Sequence, residues 1–168
     1  SLLTNLQYYL PMDGNFNDVS GNNAVVDNEG GAGFTTDRFS QASMAGDFQA
    51  DQRLMAILDV SESAFAVSFF FKTSNPNAGF FAVGGGGHDR HVHLNGGNIR
   101  VRLWANESLE TTGLDLADDQ WHHVVYQYQE NVEVQKVYVD GALVLSGTRT
   151  FSDFTWQDRV HVGFSEDI

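Results

Sequence analysis

Short runs of β-branched and aromatic residues recur along this chain, and a turn cluster closes each one after about a dozen residues, the spacing of a sandwich of strands. The runs fall at 7–10, 43–48, 54–60, 65–73, 79–83, 91–94, 99–105, 121–128, 132–139, 142–145 and 160–164. Between them stand breakers such as Asn75-Pro76-Asn77, Asn95-Gly96-Gly97-Asn98 and Asp118-Asp119. No window of a dozen residues carries apolar positions at helical spacing without interior glycines or turn clusters. So many strands in 168 residues require two packed sheets, and neither a linker nor an internal repeat divides them. The expectation is one all-β domain over residues 1–168, a two-sheet antiparallel β-sandwich.

The densest stretch is Trp121-His122-His123-Val124-Val125-Tyr126-Gln127-Tyr128, followed by Val137-Tyr138-Val139-Asp140-Gly141. Asp140-Gly141 sits where a tight hairpin needs positive φ, so this part reads as three consecutive strands. Alternation assigns faces elsewhere. Ile99, Val101 and Leu103 are expected in the core, with Arg100, Arg102 and Trp104 on the other side. Val92 and Leu94 are expected inward and His91 and His93 outward, beside the outward set of the next strand. Phe70 falls on the less buried face of its own strand.

Charge removes some partners. The formal net charge is −13 with nine Lys and Arg, which opposes nucleic acid, whose phosphates demand cations, and opposes acidic membranes as well. No apolar run approaches the roughly 20 residues of a membrane helix, and the first ten residues lack a signal peptide's basic start, as would a module taken from a larger exported protein. There is no cysteine. Asp supplies 15 of the 22 acidic residues, and Asp serves both turns and hard cations.

Two places offer site chemistry. The loop 13–22 carries Asp13, Asn15, Asn17, Asp18, Ser20 and Asn22, either oxygen ligands for Ca²⁺ or Asx turns that bond their own backbone. The face bearing His91, His93, Arg100, Arg102 and Trp104 combines an aromatic plate with planar donors, as a sugar site requires. The rival reading of that face has Trp104 covering the sheet and the arginines pairing with surface carboxylates. A zinc site at His88, His91 and His93 is disfavoured, because no structural zinc spacing with cysteine is present. No Glu-x-Asp-x-Glu run supplies the close carboxylate pair of a retaining glucanase, and the pairs Glu107 with Glu110 and Glu130 with Glu133 lack its spacing.

Four motifs in order then carry a resemblance. Asp13-Gly14 with Asp18-Val19-Ser20-Gly21, Val67-Ser68-Phe69-Phe70-Phe71-Lys72-Thr73, Trp121-His122-His123-Val124 with Tyr138-Val139-Asp140-Gly141, and Val160-His161-Val162-Gly163 together resemble laminin-G-like domains. The resemblance implies a concanavalin-A-like jelly roll lacking its last strand, since the chain stops at Asp167-Ile168. That strand is expected to be truncated or donated by another segment or chain. It also implies a structural Ca²⁺ at the 13–22 loop, with Asp13, Asn15 and Asp18 as metal ligands, and a structural rather than catalytic role for His122 and His123.

The expectation for function is a non-catalytic module of a larger exported protein, extracellular or at the cell surface, that binds carbohydrate or another surface ligand. His91, His93, Arg100, Arg102 and Trp104 would bind the ligand. The rival readings are a protein-interaction or adhesin domain without a sugar site and a polysaccharide-cleaving enzyme of the same superfold.

Overall fold

The computed structural model describes residues 5–84, 88–102, 108–129, 132, 134–148 and 155–165. Among them thirteen strands form: β1 (Val26–Glu29), β2 (Gly33–Thr35), β3 (Ala45–Asp47), β4 (Arg53–Ile57), β5 (Ala64–Phe71), β6 (Gly79–Gly84), β7 (His88–Asn95), β8 (Asn98–Arg102), β9 (Ser108–Glu110), β10 (His122–Gln129), β11 (Val134–Val139), β12 (Ala142–Thr148) and β13 (Arg159–Val162). A seven-stranded sheet runs β1-β4-β13-β6-β7-β8-β9, a four-stranded sheet runs β12-β11-β10-β5, and β2 and β3 form a separate hairpin. All pairs are antiparallel. Among the described residues no helix is long and apolar enough to cross a membrane.

The period of two fills the space between the sheets. Val83, Val92, Leu94, Ile99 and Val101 project from the large sheet, and Phe71, Val124, Tyr126, Val137 and Val139 meet them from the small one. The expected three strands from Trp121 onward are β10, β11 and β12. Asp140 (φ 50°) and Gly141 (φ 82°) make the β11–β12 turn with both central residues left-handed, as a two-residue hairpin requires.

The segment at 7–10, expected to be a strand, joins no sheet. Its backbone is held by the following loop instead: Val19 N–H donates to the Tyr9 carbonyl at 2.9 Å and Tyr9 N–H to Asp18 Oδ1 at 3.0 Å. Strands β1, β2 and β9 were not expected. Val-Asp-Asn-Glu of β1 and Ser-Leu-Glu of β9 are the two edges of the large sheet, where a short, half-solvated strand tolerates charge and alternation is weak.

His122 is held between two carboxylates. Its Nδ1 lies 2.8 Å from Asp140 Oδ2 and its Nε2 3.1 Å from Asp118 Oδ1. Only the imidazolium donates from both nitrogens. Burial alone would lower the His122 pKa, yet hydrogen bonds to Asp140 and Asp118 and their charges raise it above the ordinary value. The carboxyl of Asp118 is held below its usual range, first by the Gln120 N–H and also by His122; that of Asp140, despite burial, is lowered by His122 and by the His123 N–H.

Arg90 is a buried cation between the sheets. It sits at an irregularity in the β6–β7 ladder with φ 52°, and its side chain is fully buried. The guanidinium donates to the Val60 and Ser61 carbonyls, to Glu62 Oε1 at 3.2 Å and to Gln157 Oε1 at 3.1 Å, with the Phe65 ring centroid 5.6 Å away. One side chain thus ties β7 to the approach to β5 and to the approach to β13.

Two outcomes are expected. Arg90→Ala strands Glu62 in the interior and lowers unfolding free energy by about 3–5 kcal/mol, whereas Arg90→Met combined with Glu62→Leu recovers much of that loss; chemical denaturation measures both. For His122, a raised folded pKa places its stabilisation below its unfolded value of about 6.5, and that stabilisation fades as pH rises through the folded pKa. The depressed Asp118 and Asp140 values remove it in acid, below about pH 4. The Tm advantage of the parent over His122→Gln is therefore largest between those limits and shrinks above neutrality. An advantage independent of pH would show that the ion pairs do not contribute.

Candidate functional site

The β7–β8 ladder places the expected ligand residues side by side, His91 opposite Arg102 and His93 opposite Arg100. The register expectation holds; the exposure expectation needs correction. His91 and His93 are 0% and 2% exposed. The chain leaves β13 at Gly163 with φ 78°, Gly163 N–H donates to the Phe80 carbonyl at 2.9 Å, and buried Ser165 then reaches the two rings. Its Oγ lies 2.8 Å from His91 Nδ1 and 3.5 Å from His93 Nδ1. The histidines face out of the sheet but under a covering segment, which alternation cannot reveal. Trp104 lies outside the described residues.

The arginines remain half-buried. Arg100 Nη2 is 3.4 Å from Ser108 Oγ, and Arg100 Nε is 3.7 Å from Glu110 Oε2. That Nε is buried and has no hydrogen-bond acceptor among the described residues. Glu110 in turn accepts from the Asn95 amide at 3.0 Å. It also lines an open depression of about 360 Å³ with Thr111, Thr112, Leu114, Val144 and Leu145, on the side of the sandwich where β9 meets β12. A carboxylate, the exposed Thr112 hydroxyl and an apolar floor beside the Arg100–Glu110 ion pair offer polar groups around an apolar patch, as small-ligand sites do, while the buried Thr111 hydroxyl is engaged by the Ile99 N–H and Asn98 Oδ1. Glu107, Glu130 and Glu133 lie outside the described residues.

In the 13–22 loop Asp18 is the hub. Oδ1 accepts from the N–H of Tyr9 (3.0 Å) and Ser20 (2.9 Å), and Oδ2 accepts from Ser20 Oγ (2.9 Å) and the Ala24 N–H (3.0 Å). Burial would raise the Asp18 pKa, but the Ser20, Tyr9 and Ala24 amides outweigh it and lower the value. Burial and then the Asp18 charge push the Tyr8 phenol pKa up, and its hydroxyl has no hydrogen-bond partner among the described residues. Asp13 Oδ1 accepts from the Asn15 amide at 3.0 Å, and Asn15 Oδ1 accepts from the Asn17 N–H at 2.8 Å. Asp18, with four donors on its two oxygens, does not fit as a metal ligand in this geometry; exposed Asp13 keeps a second carboxylate oxygen. Among the described residues no three His, Cys, Asp or Glu side chains converge on a metal position.

A third surface was legible only in part. Phe70, 47% exposed, stacks on His123 at 4.4 Å, and His123 Nε2 lies 2.8 Å from Ser68 Oγ. The guanidinium of Arg38 lies 3.7 Å from the Phe70 ring centroid and 4.5 Å from that of Phe39. Arg38 and Phe39 come from the β2–β3 turn, which Asp37 clamps by accepting the N–H of Phe39 (2.9 Å) and Gln41 (2.8 Å). The sequence marks Phe70 as outward, but nothing in it links residue 38 to residue 70.

A comparison with curated protein sequences yields no match. Solved structures give the same fold at low identity. The binding domain of botulinum neurotoxin serotype D superposes with a TM-score of 0.73 at 16% identity, over 97% of this chain and 44% of that one. Botulinum neurotoxin type C, which interacts with two ganglioside molecules, gives 0.70 at 13% identity, over 97% and 44%. The binding domain of Paraclostridial Mosquitocidal Protein 1 gives 0.68 at 13% identity, over 97% and 48%. The chain thus spans less than half the length of these neighbours. A laminin G family model, described as concanavalin A-like lectin/glucanases superfamily, matches residues 45–167. With that match over most of its length, and with the two-sheet antiparallel sandwich expected of it, the chain belongs to the laminin G family of the concanavalin A-like lectin/glucanase superfamily.

Proposed function

We propose that this domain is a non-catalytic module that binds carbohydrate or another cell-surface ligand, in an extracellular or surface setting. The observation that carries the reading is the open depression of about 360 Å³ lined by Glu110, Thr111 and Thr112, with half-buried Arg100 ion-paired to Glu110 at its rim. A shallow, open surface with hydroxyls and charged groups suits recognition of a sugar's hydroxyls, and Arg102 on the same strand extends it. Membership of a lectin-containing superfamily and likeness to toxin binding domains support a binding role. The ganglioside interaction of the type C neighbour belongs to a chain more than twice as long, so it supports a cell-surface ligand only as an analogy.

Two measurements test this. On a glycan array the domain is expected to bind, and Arg100→Ala is expected to weaken the bound sugar by about tenfold or more, the value of a charge-assisted hydrogen bond. Absence of binding to every neutral, acidic and sulfated glycan would leave the adhesin reading in its place, and release of reducing ends would instead mark an enzyme.

Calcium belongs to the same proposal, at Asp13 and Asn15 rather than at the hydrogen-bonded Asp18. An ion bound only by the folded state raises Tm through mass action, so chelation is expected to lower the midpoint and added Ca²⁺ to restore it. Identical melting with and without chelator would remove the ion from the proposal.

A further inference from the structure

Acidic residues are distributed very unevenly. The chain carries 22, yet β5, β10, β11 and β12 contain neither Asp nor Glu along their whole length. The outer face of the four-stranded sheet is therefore free of strand carboxylates in a molecule of net charge −13. It is also unusually apolar for a face turned to water. Register aligns Ser68, Val125, Tyr138 and Leu143 in one row across the four strands, with Phe70 and His123 in the neighbouring row. Leu143 is 53% exposed.

The cations behave differently here too. Arg53, Lys72, Arg90, Arg100 and Arg159 each have a carboxylate partner. Arg38 and Lys136 have none within ion-pair distance among the described residues, and both belong to this face: Lys136 points out of β11 between Gln127 and Ser146, and Arg38 lies over Phe70. Phe39, 66% exposed, adds a second ring held by the Asp37-clamped turn. Phe70 and Lys136 stand two strands apart and four residues along, about 16 Å from strand spacing and rise, a distance that a chain of several sugars bridges and a monosaccharide does not.

We propose that this face is a second ligand surface and that its ligand is an anionic oligosaccharide. Phe39 and Tyr138 supply plates for the apolar faces of the sugar rings, Phe70, sandwiched between His123 and Arg38, holds that guanidinium in place, and Arg38 and Lys136 pair with the carboxylate or sulfate groups. A second copy of the chain docked about a twofold axis would duplicate two unneutralised cations within a dry interface. An apolar protein surface would leave both cations without a partner.

This inference rests on the carbohydrate-binding reading, and the experiment separates the two. The domain is titrated calorimetrically with oligosaccharides of matched length that are neutral, uronate-bearing, sialylated or sulfated, at low and high salt. Expected are binding of at least one acidic chain in preference to the neutral one, weakening by salt, and at least a tenfold loss in Lys136→Glu, Arg38→Glu and Phe70→Ala while Tm and circular dichroism stay those of a folded sandwich. Lys136→Gln, which only removes the charge, is expected to lose less than Lys136→Glu. Acidic-sugar binding lost in Arg100→Ala but untouched by Lys136→Glu and Arg38→Glu would overturn the inference and leave the proposed function standing. A preference for the neutral chain would do the same. No binding to any of them, or self-association abolished by Phe70→Ala without sugar binding, would sink both.

Discussion

A buried guanidinium holds the sandwich in register. Removing Arg90 from water is costly, and the cost is met only because carbonyls of residues 60 and 61, the Glu62 carboxylate and the Gln157 amide arrive from separate parts of the chain. An apolar core alone tolerates sliding by one alternation period, since one aliphatic residue substitutes for another. A planar donor with fixed acceptors does not. The inter-sheet packing of Val92, Leu94, Ile99 and Val101 against Val124, Tyr126 and Val137 supplies apolar burial, while Arg90 ties β7 to residues 60–62 and to Gln157.

The two sheets present different chemistry to solvent. The outer side of the seven-stranded sheet is partly closed over: Ser165 caps His91 and His93, and Phe164 lies edge-on to His161 with Arg53 over its ring. Open depressions are found among the described residues at the edge where Glu110 and the threonines meet and beside Arg53 and Phe164. The four-stranded sheet turns Ser68, Phe70, Val125, Lys136 and Tyr138 outward, with the Arg38 turn lying over Phe70, and its strands lack the carboxylates that populate the loops. A strongly acidic sequence thus folds with its carboxylates outside the strands of one sheet, though Asp37, Asp119 and Asp140 border that face, a pattern that net charge conceals.

Where alternation decides, the sequence is readable. Ile99, Val101, Val92 and Leu94 are buried as expected, Asp140-Gly141 turns the hairpin it predicts, and Phe70 faces outward. Where long-range contacts decide, it is silent. The burial of His91 depends on Ser165, which is 74 residues away, and the cation over Phe70 comes from a loop that no local signal aims. Edge strands such as β1 and β9 escape detection for the opposite reason: solvent dilutes their pattern. The Asp13 to Asn22 motif shows a third limit, since the same oxygens serve a cation or their own amides and only geometry distinguishes them. Here Asp18 is spent on amides.

The position of β13 governs how such a chain is made. Although it is the last of the described strands in sequence, it lies inside the large sheet, hydrogen-bonded to β4 on one side and β6 on the other. Until residues 159–162 leave the ribosome, β4 and β6 each hold an open ladder, and β1 has nothing linking it to the rest of the sheet except β4. Closing the large sheet therefore depends on long-range pairing of β13 with β4 and β6, a class of contact that forms slowly and leaves strand edges open until it does.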